Sequence, residues 1–250
     1  NEQLLDIGSD HGLVSYDGEQ FRTFLRADGL ADDYVYSLLP ASDGALWLGS
    51  RGHGVTRCTL EPGGRLGSCR VFTTADGLAN DSVRAIAEDR DGAVFFATRG
   101  GGLSRFDGRE FTRLTVADGL PADDLYALLV TRDGGELLVG STAGVGVCPL
   151  PAAHPCRLLR EANGLADNEV HSLLEDREGS FWIGSEGGVS RLVRKDFWSY
   201  GEAEGLPDRQ VFALAPDGGG GLWVGTVDGL GHLAIGPDGE PGSRIWRKRD

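Results

Sequence analysis

The chain has 250 residues, 40 of them glycine, and a formal net charge of −14. A domain with no basic surplus is a poor partner for phosphate backbones or anionic lipid, so nucleic-acid binding and direct membrane contact are set aside. The chain has no run of about 18 apolar residues, so no segment reads as a membrane-spanning helix.

The sequence opens on Asn1 in mid-pattern, contains no Met and carries no signal peptide. It is expected to be a piece of a longer protein, with targeting or membrane segments elsewhere. Gly-Leu recurs at Gly29-Leu30, Gly77-Leu78, Gly119-Leu120, Gly164-Leu165 and Gly205-Leu206, in steps of 48, 42, 45 and 41 residues. A strand ending in Gly-Ser or Gly-Thr recurs at Gly8-Ser9, Gly49-Ser50, Gly140-Ser141, Gly184-Ser185 and Gly225-Thr226, with Ala97-Thr98 as a sixth copy. A period of 40 to 50 residues holding several short strands points to an all-β propeller of four-stranded antiparallel blades.

Residues 1–27 read as a partial blade: a strand closing on Gly8-Ser9, then Leu13 to Tyr16 and Phe21 to Phe24. Blade 28–75 has strands Val35 to Leu39, Leu46 to Gly49, Val55 to Cys58 and Val71-Phe72. Blade 76–117 repeats it with Val83 to Ala87, a strand around Phe95, Leu103 to Phe106 and Phe111 to Leu114. Blade 118–162 has Leu125 to Leu129, a strand closing on Gly140-Ser141, Val145 to Cys148 and Leu158-Leu159. Blade 163–203 has Val170 to Leu174, a strand around Trp182, Val189 to Leu192 and Phe197 to Tyr200. Blade 204–250 has Val211 to Ala215, a strand around Trp223, Leu230 to Leu233 and a weak final strand near Ile245-Trp246.

The first two strands of a full blade are joined by turns such as Asp43-Gly44, Asp91-Gly92 and Asp217-Gly218. Asp-Gly between apolar runs signals a hairpin, because glycine accepts positive φ. The second strand is apolar on both faces, as suits a sheet sandwiched between neighbours. Six copies of the outer three strands accompany five of the inner strand, so the first blade lacks its inner strand. The chain is therefore expected to be cut inside a blade of one domain, 1–250, leaving the parent's blade number open beyond six.

Cys58 and Cys148 occupy one repeat position, and Cys69 and Cys156 another. Each pair flanks the long connection between the last two strands of its blade. Adjacent strands can meet disulfide geometry, which predicts Cys58–Cys69 and Cys148–Cys156 bonds and an oxidising compartment. Buried free thiols are the alternative. Zinc is disfavoured because neither pair has close-spaced ligands.

No nucleophile elbow, phosphate-binding loop or His-Glu-x-x-His is present. Asp89-Arg90-Asp91-Gly92 resembles a calcium loop without its closing Glu and reads as a hairpin turn. Asn80-Asp81-Ser82 is a formal sequon inside a repeated turn. His11 and His53 fall in loops after the second strand, His154 before the last strand, His171 on an inner strand and His232 on a third strand; each reads first as structural or solvated.

Function is sought where the copies differ. Seven residues after each turn glycine stand Tyr36, Arg84, Tyr126, His171 and Phe212; two residues earlier stand Tyr34, Ser82, Asp124, Glu169 and Gln210. On innermost strands, one of these sets is expected at the channel or its mouth, where aromatic and hydrogen-bonding groups suit a polar ligand such as a sugar. Packing between blades is the competing reading. Arg51, His53, Arg99 and Glu186 in loops are candidates for the same mouth. No catalytic residue, metal ligand or cofactor is assigned.

The unit Gly-Leu-Pro-Asp-x-x-Val-x-x-Leu…Asp-Gly-x-x-Leu-Trp-Val-Gly-Thr…Gly-Leu resembles the two-component regulator propeller repeat, and Gly164 to Leu192 and Gly205 to Leu233 match nearly throughout. Ala97 and Cys148 are local departures. The resemblance implies a periplasmic or extracellular sensor region of bacterial signalling proteins, often hybrid histidine kinases or diguanylate cyclases, with glycan fragments as ligands in some members. It implies a non-enzymatic sensing module, with a homodimer in the parent receptor. A structural scaffold for protein partners is the alternative. A metal-dependent enzyme of the virginiamycin B lyase type is more distant, since no His/Glu set matches it residue by residue.

Overall fold

The computed structural model describes residues 5–61, 65–151, 155–193, 196–235 and 241–247. Two compact units, residues 1–125 and 126–250, are described in turn. In the first, β1 (Leu5–Ser9), β2 (Gly12–Tyr16) and β3 (Phe21–Phe24) form a three-stranded antiparallel sheet. A four-stranded sheet follows: β4 (Val35–Pro40), β5 (Ala45–Ser50), β6 (Val55–Glu61) and β7 (Arg65–Phe72). The next comprises β8 (Val83–Glu88), β9 (Val94–Thr98), β10 (Gly102–Phe106) and β11 (Phe111–Leu114).

The blade of β12 (Leu125–Val130), β13 (Glu136–Ser141), β14 (Gly144–Pro149) and β15 (Arg157–Leu159) opens at the junction of the units. The second unit continues with β16 (Val170–Glu175), β17 (Phe181–Ser185), β18 (Gly188–Val193) and β19 (Asp196–Tyr200). Last come β20 (Val211–Pro216), β21 (Leu222–Thr226), β22 (Gly229–Ile235) and β23 (Pro241–Arg247). The fold is an all-β propeller of six blades, the first with three strands, and no α-helix occurs among the described residues.

Each blade contributes one face to a core shared with its neighbour. In the first unit, Trp47 of β5 packs with Val55, Phe72, Leu78, Val83, Val94 and Phe96, linking two blades. In the second unit, Trp182 packs with Tyr200, Leu206, Val211, Leu222 and Val224. Full burial of such a side chain is worth about 1.5–3 kcal/mol. The expectation that the second strand is buried on both faces therefore holds.

The glycine closing that strand marks a close approach. A Cβ on Gly184 would stand 2.6 Å from Val211 Cγ1, and one on Gly49 would stand 2.8 Å from the Val83 carbonyl oxygen, both on the next blade. The following hydroxyl closes the loop: Ser50 Oγ donates to the Gly54 carbonyl at 2.7 Å and Thr98 Oγ1 to that of Gly102 at 2.7 Å.

The step between blades holds a feature outside the sequence reading, a 3-10 turn before each Gly-Leu. Gly77 ends one such turn at φ 106° and donates its N–H to the Thr74 carbonyl, a left-handed geometry that favours glycine. The Asp76 carboxylate accepts from the Thr73 N–H at 2.9 Å, and Asp81 from the Thr74 N–H at 2.7 Å. Much of the chain's acidity thus caps turns. Asp89 does the same in its hairpin, accepting from the N–H groups of Asp91 and Ala93 at 3.0 and 2.9 Å.

Both disulfides are present, Cys58–Cys69 and Cys148–Cys156, spanning 11 and 8 residues. The last strand of that blade, expected at Val71-Phe72, starts earlier at Arg65, so Cys69 lies inside it. Cys69 faces Cys58 within a longer hairpin that continues past a register shift to Glu61 and Arg65.

Candidate functional site

The variable position on the inner strand is a β-bulge. In β16, Val170 pairs with Ser185 and Ser172 with Gly184, leaving His171 as the extra residue. Tyr36, Arg84 and Phe212 hold the same place in β4, β8 and β20. A bulge leaves one residue outside the ladder and re-aims its side chain. The valine before it is buried in the inter-blade core, so the ladder is anchored while the bulged residue is free to vary.

A second rule brings the loop to this strand. The loop residue after Gly-Ser/Thr donates its N–H to the carbonyl two residues before the bulge. Arg51 reaches Tyr34 at 3.3 Å, Arg99 reaches Ser82 at 3.0 Å, Glu186 reaches Glu169 at 3.1 Å and Val227 reaches Gln210 at 3.3 Å.

In the second unit these rules assemble one group. The rings of Tyr126 and His171 meet edge-on with centroids 4.6 Å apart, and those of His171 and Phe212 are 4.9 Å apart. His171 Nε2 lies 2.9 Å from Glu186 Oε1 and 4.0 Å from Glu169 Oε1. Tyr126 Oη donates to Glu169 Oε1 at 2.8 Å, and Gln210 Nε2 donates to Glu186 Oε2. The His171 side chain is only 10% exposed, whereas Phe212 is 48% exposed. The result is an aromatic row with a carboxylate and amide rim, able to stack an apolar ring face and accept or donate at its edge.

In the first unit the candidates form separate groups. The rings of Tyr34 and Tyr36 pack at a tilt with centroids 4.8 Å apart, and the Arg51 guanidinium lies 5.3 Å from the Tyr34 ring. Arg84 Nη1 donates to Asp124 Oδ1 at 3.2 Å. His53 Nδ1 is 2.7 Å from Asp32 Oδ2. Burial, the largest influence on Asp32, raises its pKa, but hydrogen bonds from His53 and the Tyr34 N–H outweigh it and hold the carboxyl below its ordinary value. Arg99 is exposed.

Of the remaining histidines, His11 pairs with Asp10 at the surface and His232 with Asp217 at 2.8 Å. His154 lies outside the described residues. Asn80 Oδ1 accepts from the Ser82 N–H at 2.8 Å. Glu169 and Gln210 come from the positions two residues before the bulge, and Asp32 lies outside both variable sets. The signal that joins Glu169 to Glu186 is their spacing, shared by Tyr34 and Arg51, Ser82 and Arg99, and Gln210 and Val227. It shows only when strand and loop positions are read together.

Residues 29–52, 77–100, 164–187 and 205–228 match the family described as two component regulator propeller. Among solved structures, the extracellular domain of the hybrid two component system BT4673 from B. thetaiotaomicron is 19% identical, with a TM-score of 0.70 over 98% of this chain and 42% of that one. The extracellular domain of BT3049 from B. thetaiotaomicron is 18% identical, with a TM-score of 0.69 over 99% of this chain and 40% of that one. Virginiamycin B lyase from Staphylococcus aureus is 12% identical, with a TM-score of 0.70 over 99% of this chain and 89% of that one. The chain thus spans about two fifths of the length of the two extracellular domains. No curated protein matches it in sequence.

Proposed function

Because four of its blades carry the two component regulator propeller repeat, we propose that the chain is a non-enzymatic ligand-sensing module of a bacterial signalling receptor, placed in the periplasm or outside the cell. The similarity to extracellular domains of hybrid two component systems supports this reading, as do the two disulfides, which suit an oxidising compartment. The ligand is a small polar molecule such as an oligosaccharide. The observation that carries the site is the row Tyr126–His171–Phe212 with Glu169, Glu186 and Gln210 along its edge. A sugar offers an apolar face for Phe212 and hydroxyls for the carboxylates, the pairing such a row is built to meet. Binding shifts the populations of blade packing, or of a homodimer in the parent receptor, by the ligand's differential affinity for the two states.

A glycan array probed with the chain, followed by calorimetry on any hit, tests this. Phe212→Ala is expected to weaken binding at least tenfold, while Tyr36→Ala in the other unit leaves that binding unchanged. Unchanged affinity in Phe212→Ala refutes the assignment of the site. The grouping of two glutamates on one histidine favours a second, enzymatic reading of the lyase type. Turnover of a streptogramin B substrate, lost in His171→Gln, would establish that alternative.

A further inference from the structure

We propose that Glu169, His171 and Glu186 form a divalent-cation site. Ligands about 2.1 Å from one ion lie roughly 3–4 Å apart. His171 Nε2 is 2.9 Å from Glu186 Oε1 and 4.0 Å from Glu169 Oε1, and the three ligand atoms all lie within 4.8 Å of one another. These separations are of the order that ligands of one ion show.

The second observation is a charge conflict unique among these pairs. The backbone rule that joins loop to strand sets Arg51 beside Tyr34, Arg99 beside Ser82 and Val227 beside Gln210. The same rule sets two carboxylates side by side at Glu169 and Glu186. Like charges so placed repel, and the blade elsewhere avoids the arrangement. Among the described residues, His171 is the sole ion-pair partner of either glutamate. A bound cation resolves the conflict.

The third is the outer layer. Tyr126 Oη holds Glu169 Oε1 and Gln210 holds Glu186 Oε2, leaving Glu186 Oε1 facing the imidazole. The ring itself is held between Tyr126 and Phe212. Hydrogen bonds that orient the ligand side chains are the usual support of a metal centre.

One imidazole and two carboxylates suit Mn2+ or Zn2+. Ca2+ takes six to eight oxygen ligands, more than this group supplies. Loading uses the Nε2 lone pair, with the imidazole proton carried on Nδ1. Three ligands from one side leave coordination positions open toward solvent. The proposal goes beyond the sensing reading and does not rest on it.

The test is an electron paramagnetic resonance titration of the purified chain with Mn2+ at pH 7.5, without sugar, and with Zn2+ as competitor. The expected result is one Mn2+ per chain, displaced by Zn2+, with affinity reduced at least tenfold in both Glu186→Gln and His171→Gln. Glu110→Gln, an exposed acid in the other unit, is expected to bind as the wild type does. Tyr126→Phe is expected to weaken binding by a smaller factor. Circular dichroism melting of each variant confirms that it is folded. No binding of either ion at millimolar concentration overturns the proposal, as does unchanged affinity in both site variants or equal binding of Ca2+. Repeating the glycan titration in chelator-treated protein keeps the two readings apart, because sugar binding without metal leaves the sensing site standing.

Discussion

Replacing the glycine that ends the second strand of a blade tests the packing account from within one protein. At Gly184 an added Cβ meets Ser172 Oγ on the paired strand and stands 2.6 Å from Val211 Cγ1, on a valine that is fully buried in the inter-blade core. At Gly225, the same repeat position, the nearest atom is Ala213 Cβ at 3.3 Å. Neither glycine has a left-handed φ, so alanine fits both backbones and conformational preference is held constant. Overpacking a tight contact costs about 1–3 kcal/mol. Against this, alanine lowers unfolded-chain entropy and contributes about 0.4–1 kcal/mol of stability. Gly184→Ala is thus expected to destabilise by about 1–2 kcal/mol, and Gly225→Ala to be neutral within about 0.5 kcal/mol. At roughly 2–4 °C per kcal/mol for a chain of this size, the first lowers Tm by about 2–8 °C and the second hardly moves it. Differential scanning calorimetry measures both. Equal losses at the two positions would refute the reasoning, because they would locate the cost in the strand backbone and not in the side chains of Ser172 and Val211 that crowd Gly184.

Three further outcomes follow from the structure. Replacing Cys58 and Cys69 together by alanine frees an 11-residue span. On the chain-entropy account this costs about 2.8 kcal/mol, against about 2.5 kcal/mol for the Cys148–Cys156 pair; guanidinium unfolding reads both, and no change on reduction would contradict the estimate. Trp47→Ala empties a fully packed position and is expected to cost about 3–5 kcal/mol, seen as a loss of Tm well beyond that of Phe21→Ala at the surface. Acid stability follows from the turn carboxylates. The N–H groups of Gln20 and Glu19 hold Asp17 below its ordinary pKa, those of Glu110 and Arg109 hold Asp107, and the Ala45 N–H and then Arg57 hold Asp43. Depressed folded-state values mean that this stability is present above the unfolded pKa near 4 and is lost as pH falls through the folded values. Tryptophan fluorescence is therefore expected to stay native down to about pH 4, and unfolding that begins near pH 6 would contradict the assignment.

The blade was legible because its signals are local and repeated. Asp-Gly or Glu-Gly marks the hairpins of the full blades, an apolar run closing on Gly-Ser or its variants marks the strand sealed between blades, and the two cysteine pairs recur at matching places. The 3-10 turns were not legible, since three residues carry no periodicity and their caps, Asp76 and Asp81, look like ordinary surface acids. For the site, the inner-strand row Tyr126, His171 and Phe212 showed as variation within a constant frame. Its meeting with Glu169 and Glu186 did not, because a loop hydrogen bond makes it and the two glutamates lie on different elements, one on the inner strand's approach and one in a loop. The early start of β7 at Arg65 is not legible either, because the pairing resumes only after a register shift beyond Cys58 and Cys69.

The central claim is that ligand recognition resides on the inner strands of the second unit. Hydrogen–deuterium exchange of the chain, with and without an oligosaccharide selected on the glycan array, tests it most directly. The account predicts slower exchange in peptides covering 165–173, 184–188 and 208–214, around His171, Glu186 and Phe212, with the hairpins near Asp43 and Asp133 unchanged. Protection confined to those hairpins, or to the outer strands, would contradict it.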